Sequence, residues 1–515
     1  MRQSRWTAQS RSSHCITMTA RCSPLGLSNR PGSRTRVYAP NGFPSTNEVK
    51  RMQTSIDPAF AEVSSLLDSL ARFTNTLDLK RVPDTVLRQA GLCVLDTIGC
   101  TLAGADTPEG AALFDAERAL GGSGQLARVI GRAETLPLEA AARVHGYWGD
   151  IFELNDLIGG HASIGNVAAA LALVEACNGS GAALLKAVIA GIEVTSRVYA
   201  SVYPKLKPYT DVAMVTPGLV SAFGAAAVAA SLRALSRDET REALAIAGTL
   251  TTWCPAETVF GDGGTVKPML FGAWPAAIGL RAAGYAQHGM TGPGRLLESR
   301  IGLFATLCRE YEPRVIADDT HWFLAEPRRK LHACCGYTHS AIDLVISLRA
   351  QLGADVLARS KLRIAMPAYV VPAVSKSALP HTANEARFHL QYCVALAACG
   401  ADVILPQHSV DLDGHLQRPE LRDMLANIEI VADPELAHYH QCRITVSTED
   451  VHHARSDAPC GSPQNPLSDA QVIEKFQRLA SFRMSAHASA AYASRFMQLE
   501  QVTDCRWIFD ELLAK

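Results

Sequence analysis

The chain has 515 residues, of which 48% are hydrophobic, enough to bury a large core and to suggest two or three domains. Its 49 Lys and Arg nearly cancel its 50 Asp and Glu, so no overall field would gather a polyanion such as nucleic acid. No apolar run approaches the ~18 uninterrupted residues of a membrane span; Glu175, Lys186, Glu193 and Arg233 break the Ala-rich stretches.

Before the first acidic residue, Glu48, stand Arg2, Arg5, Arg11, Arg21, Arg30, Arg34 and Arg36 among many Ser, Thr and Pro. That composition suits an organellar transit peptide, while a disordered, dispensable leader or a misplaced start codon accounts for it equally. Residues 1–55 are therefore read as a leader, and mitochondrial and cytoplasmic locations both stay open.

From about residue 57 apolar residues recur at three-to-four spacing, which predicts helices over Val63–Leu77, Thr85–Ala103 and Pro137–Gly149. Ala-rich helices follow at Gly165–Cys177, Gly181–Tyr199, Val215–Leu232, Arg237–Gly248 and Pro268–Ala286. Their small residues let axes approach closely, and Gly-Ser, Leu-Ser-Arg-Asp and Gly-Pro elements supply stops and N-caps. After about residue 326 short β-branched runs alternate with helices: Lys361-Leu-Arg-Ile-Ala-Met, Ile428-Glu-Ile-Val and Cys442-Arg-Ile-Thr-Val read as strands. Ala454–Pro466 reads as a loop, and Ser468–Lys515 returns to helix. The fold class is thus mainly α: a large all-helical domain (56–326 and 461–515) with a smaller α+β lid domain (327–460) inserted, and a cleft between the two bodies.

Four segments carry candidate chemistry. Phe152-Glu-Leu-Asn-Asp-Leu-Ile-Gly-Gly-His161 crowds carboxylates, an amide and a histidine at a helix–loop junction, although an N-cap with a solvated loop would use the same residues. Gly261-Asp-Gly-Gly-Thr-Val-Lys267-Pro268 puts a lysine at a helix start, beside free backbone N–H groups that together suit a carboxylate. An ordinary exposed lysine there would oppose the helix dipole. Lys330-Leu-His-Ala-Cys-Cys-Gly-Tyr-Thr-His339 offers a cation and two histidines to the cleft. In Asn384-Glu-Ala-Arg387-Phe-His389 the arginine suits a bidentate carboxylate clamp, with a structural pair to Glu385 or an interdomain salt bridge as the alternative. The 14 Cys are dispersed, none in a C-x-x-C pair, and Cys334-Cys335 read as packing residues rather than nucleophiles or metal ligands.

Taken in register, these segments resemble the 2-methylcitrate dehydratase family (MmgE/PrpD), which also includes cis-aconitate decarboxylase and iminodisuccinate epimerase. The likeness spans roughly residues 60–510. It rests on His145-Gly with Leu154-Asn-Asp, on Leu184-Leu-Lys-Ala-Val-Ile-Ala-Gly-Ile-Glu-Val-Thr-Ser-Arg, on Ala222-Phe-Gly-Ala-Ala-Ala-Val-Ala-Ala and on Val266-Lys-Pro. The Lys330 to His339 segment, Glu385-Ala-Arg-Phe, and Asn465-Pro-Leu-Ser before Lys475-Phe complete it. The resemblance implies a cofactor-independent, metal-free lyase, a homodimer, that removes water from 2-methylcitrate or a longer 2-alkylcitrate. Decarboxylation of cis-aconitate to itaconate is the alternative on the same scaffold. The resemblance assigns acid/base chemistry to Asp156 and His161 and a substrate or proton-handling role to Lys267, with Lys330 and His339 contributed from the lid side. His339 is taken with them as an acid/base candidate, and Asn155, Lys330 and Arg387 as substrate-binding residues for a small tricarboxylate; neither nucleic acid nor membrane is expected as a partner. The chain departs from the family pattern at Leu157, where Thr is frequent, at Val215-Thr-Pro-Gly, where His-Pro-Thr-Gly is frequent, and at Val374, where decarboxylating members carry an aromatic. These apolar replacements imply a greasier pocket and a longer alkyl tail.

Overall fold

A computed structural model describes residues 65–122, 124–261 and 264–513; the leader lies outside the described residues. Helices α1 (Leu66–Thr76), α2 (Asp84–Ala105), α3 (Pro108–Leu120) and α4 (Leu138–Asp150) come first; α1, α2 and α4 lie close to their expected spans, and α3 is not among the helices predicted from the sequence. The Ala-rich series follows as α5 (Ala162–Ala176), α6 (Gly181–Val202), α7 (Ser221–Leu232), α8 (Arg237–Leu250) and α9 (Trp274–Gln287). Side-chain caps start two of them, α6 and α8, where the sequence places them. The Ser180 hydroxyl accepts from Ala183 N at 3.2 Å, and Ser236 and Glu239 form a reciprocal capping box. α6 and α7 cross where a Cβ on Gly224 would stand 2.3 Å from the Gly191 carbonyl oxygen, so only glycine permits that approach.

α2 has the length and apolarity of a membrane span, but 83% of its most apolar window is buried inside the protein, as suits a central core helix. One feature departs from the all-helical expectation. β1 (Leu126–Arg128) and β2 (Thr135–Pro137) pair antiparallel within the helical part, burying only Ala127 and Leu136 from strands three residues long. Runs that short leave no period-2 signature.

Past residue 330 come α10 (His339–Leu352), β3 (Lys361–Met366), α11 (Leu390–Ala398), β4 (Ile428–Ala432), β5 (Cys442–Ser447) and β6 (Val451–Ser456). The sheet order is β4-β3-β5-β6, parallel between β3 and β4 and antiparallel elsewhere, with α10 and α11 against it. Ala454–Ser456, expected in a loop, belong to β6. This edge strand buries no residue fully and so lacks the apolar alternation that marks a strand in sequence. The chain closes with α12 (Asp469–Ala480) and α13 (Ala486–Phe496).

The described residues form one compact, mainly helical unit with two apolar cores. The first gathers side chains from residues 67–333 and again from 467–512. The second gathers residues 334–446 together with Val215, Cys254, Ala256, Val259 and Phe271 from the helical part. The chain's polar cluster lies where these two sets of residues meet.

Candidate functional site

α4 ends at Asp150, and the chain then turns through residues 151–161 into α5. Glu153 (φ 52°) and His161 (φ 70°) adopt the left-handed conformation, as do Gly159 and Gly160. For a side chain larger than Gly this costs of order 1–3 kcal/mol per residue, which surrounding contacts must offset. Such contacts are present: Leu157 N donates to Arg328 O at 2.7 Å, and Lys475 Nζ donates to Leu154 O at 2.7 Å.

Lys267 reaches this loop from a separate segment of the chain. It follows a 3-10 turn (Gly264–Val266) and precedes a π-helical turn, Met269–Ala273, that leads into α9. π turns are rare and are found disproportionately at functional sites. The approach depends on two glycines, because a Cβ on Gly146 would lie 2.4 Å from the Gly272 carbonyl carbon.

The result is a buried cluster of lysines and carboxylates. Lys267 Nζ contacts Asp150 Oδ2 at 2.9 Å and pairs with Glu153 Oε1, while Lys330 Nζ contacts Glu153 Oε2 at 2.7 Å. All four side chains are at most 3% exposed. Glu153 thus holds one lysine on each oxygen. Lys267, which its place at a helix start marks as suited to a carboxylate, has the protein's own carboxylates Asp150 and Glu153 as partners. Arg387 lies at the edge of the cluster. It donates to Ser409 Oγ at 3.1 Å and to Glu109 Oε1 at 3.3 Å, and stacks 4.8 Å above the Phe152 ring. Glu385, its expected local partner, instead accepts from His381 N at 2.7 Å.

Burial sets the protonation of these groups. It lowers Lys267 to about 8, with Asp150 pulling the other way, and it lowers Lys330 also. It raises Asp150 against the pull of Lys267 and Lys330. His161 is held well below the usual imidazole range by burial and by the Lys330 charge, so it is neutral. Its Nδ1 faces Asn155 Oδ1 at 3.3 Å; with that nitrogen donating, Nε2 is the acceptor. The Phe271 ring joins the two parts, with Lys267 Nζ 4.3 Å from its centroid and the His161 ring 5.1 Å away.

Lys267, Lys330, His161 and Asn155 therefore converge, with Arg387 close by. Asp156 and His339 lie to one side. Asp156 Oδ1 accepts from Ile158 N at 3.3 Å in a local turn; burial lifts its carboxyl to about 6, with Ser163 and Arg329 opposing and Asp96 reinforcing. His339 Nε2 faces Cys334 O at 3.3 Å, its ring is 5.1 Å from that of His332, and burial with the His332 and Lys330 charges keeps it neutral. A cavity of about 10 Å³, room for one water, lies between Leu157, Arg328, Arg329, His339 and His440. It does not join Lys267 to His161. A wider depression of about 230 Å³ near Asp84, Arg88 and Phe496 holds none of these groups.

Asp150, Glu153 and Glu109 were not singled out from sequence. Asp150 closes α4 and Glu153 lies beyond it with a left-handed backbone, so helical spacing gives no signal that would pair them. Glu109 carried none.

Residues 68–316 match the MmgE/PrpD N-terminal domain and residues 332–499 the MmgE/PrpD C-terminal domain. Cis-aconitate decarboxylase of Homo sapiens is 27% identical over 470 residues, covering 86% of this chain and 93% of that protein. The Mus musculus cis-aconitate decarboxylase is 26% identical over 469 residues, covering 86% and 92%. The cis-aconitate decarboxylase-like protein oryM of Aspergillus oryzae is 25% identical over 484 residues, covering 86% and 96%. With both family domains matched in order over most of its length, the chain belongs to the MmgE/PrpD family.

Proposed function

We propose that the chain is a lyase for a citrate-type tricarboxylic acid, removing water from 2-methylcitrate or a longer 2-alkylcitrate to give an alkyl-cis-aconitate. The observation that carries this reading is the buried pairing of Lys267 and Lys330 on opposite oxygens of Glu153, with Arg387 nearby. Cations sealed from water suit a polyanion that gains further charge as its carbon-bound proton leaves. Substrate carboxylates would take over the contacts that Glu153, Asp150 and Glu109 now make.

In this reading neutral His161 accepts the carbon-bound proton at Nε2, oriented through Nδ1 by Asn155. The Lys267 ammonium, its proton loosened by burial, gives a proton to the departing hydroxyl, and water leaves. Lys330 and Arg387 hold carboxylates. Asp156 and His339 are the remaining acid/base groups, on the side toward Arg329 and the small cavity. Because that cavity is far too small for the substrate, we assign residues 327–460 to a lid that moves against 56–326 and 461–515, in a homodimer. Leu157, which lines the cavity, would face the alkyl tail.

The protonated Lys267 is the required form, and its folded-state value is about 8. Turnover should therefore hold steady below that pH and decline above it. A rate that rises through pH 8 would make Lys267 a base and overturn the assignment.

A second reading, decarboxylation of cis-aconitate to itaconate, is favoured by the names of the relatives. It would use the same cations on two carboxylates while the third leaves as carbon dioxide. Purified protein incubated with citrate, 2-methylcitrate, longer 2-alkylcitrates and cis-aconitate separates the two. Alkene absorbance growing from an alkylcitrate supports dehydration, and carbon dioxide from cis-aconitate supports decarboxylation. Turnover of none of these acids sinks both.

A further inference from the structure

Lys475 stands on α12, 321 residues along the chain from the loop it touches. Its ammonium pairs with Asp96 Oδ1 of α2 at 2.7 Å and donates to the main-chain carbonyl of Leu154 at 2.7 Å. The two side chains are 3% and 2% exposed. A buried ion pair is a poor device for stability, since apolar residues of similar volume commonly serve as well. What an apolar pair could not supply is the second contact, a charge-assisted bond to a single carbonyl.

The position of that carbonyl gives it a use. Leu154 lies between Glu153, whose left-handed backbone presents one oxygen to each lysine, and Asn155, which faces His161 Nδ1. The Leu154–Asn155 peptide is thus the hinge between the carboxylate that organises the lysines and the amide that orients the imidazole. Neither Glu153 nor Asn155 touches Lys475 in a hydrogen bond; the carbonyl between them does.

We propose that Lys475, supported by Asp96, is a positioning residue that holds the 151–161 loop in its left-handed course, so that Glu153 and Asn155 keep their aim. The catalytic consequence rests on the lyase reading above, whereas the structural one does not.

The test uses full-length protein carrying Asp96→Asn with Lys475→Met, which removes both charges and leaves no lone buried ion; Lys475→Met alone is the harsher comparison. Amide hydrogen exchange of peptides covering 150–161 should quicken about tenfold or more, while α2 and α5 exchange as in the unmutated protein. On whichever tricarboxylate the unmutated protein turns over, kcat should fall about 100-fold with KM within about threefold. Unchanged exchange in the loop overturns the proposal, as does an equal quickening throughout α2, α5 and α12, which marks a stability role alone. A kcat retained in the double variant overturns the catalytic half. Should the unmutated protein turn over none of the acids, the lyase reading fails and the exchange measurement still decides the loop's anchor.

Discussion

Lys267→Met should lower turnover by about 100- to 1,000-fold and destabilise the fold by about 3–5 kcal/mol at neutral pH. Both losses follow from the same contacts. The ammonium is 1% exposed and is the partner within hydrogen-bonding distance of Asp150, whose other oxygen, Oδ1, has no hydrogen-bond partner. Removing it leaves Asp150 buried beside Glu153 with Lys330 and Arg387 as the remaining cations. Burial already raises the Asp150 carboxyl above its ordinary value, and loss of Lys267 raises it further. A raised folded-state value means that the native protein binds the proton more tightly than the unfolded chain. The deficit should therefore be smallest in acid and grow as pH rises and the carboxylate ionises. Denaturant titrations at several pH values check the stability, and a substrate assay checks the rate. A variant with near-normal turnover would remove Lys267 from the mechanism.

Gly146→Ala is expected to cost about 3 kcal/mol or more, because the new methyl would stand 2.4 Å from the Gly272 carbonyl carbon, 2.5 Å from its oxygen and 2.8 Å from Ala273 N. All three are main-chain atoms and cannot rotate away. Relief must come from parting α4 from the π turn, which would draw Asp150 and Lys267 out of register as well. The expected result is a lower melting temperature together with reduced turnover of the folded fraction. A crystal structure of the variant with the 2.9 Å Lys267–Asp150 contact intact would refute the coupling.

The parts of this arrangement legible in the sequence are those that depend on neighbours in the chain. Ser180, Ser236 and Ser468 announce the starts of α6, α8 and α12 because a cap is a contact across three residues. β3, β4 and β5 are visible through their β-branched residues, whereas β6, built of Val451-His-His-Ala-Arg-Ser at a solvated edge, is not. Lys267, Lys330, His161 and Asn155 could be named as candidates from residue type and family likeness. Glu153, the partner the two lysines share, could not, since its contact to Lys330 spans 177 residues and its left-handed backbone is unusual for glutamate. The Asp96–Lys475 pair escaped for the same reason: a lysine at the centre of a protein looks, in sequence, like any solvated one on an amphipathic helix.

The second apolar core has one further bearing on how the cluster can be reached. Phe271, Val215, Cys254, Ala256 and Val259 are held in it although their segments belong to the helical part. Any displacement that opened a path to Lys267 would therefore wet greasy surface, at roughly 25 cal/mol for each Å² uncovered. The shut arrangement is then the resting one, and because hydrophobic burial weakens on cooling, the cost of parting the seam should shrink as the temperature falls.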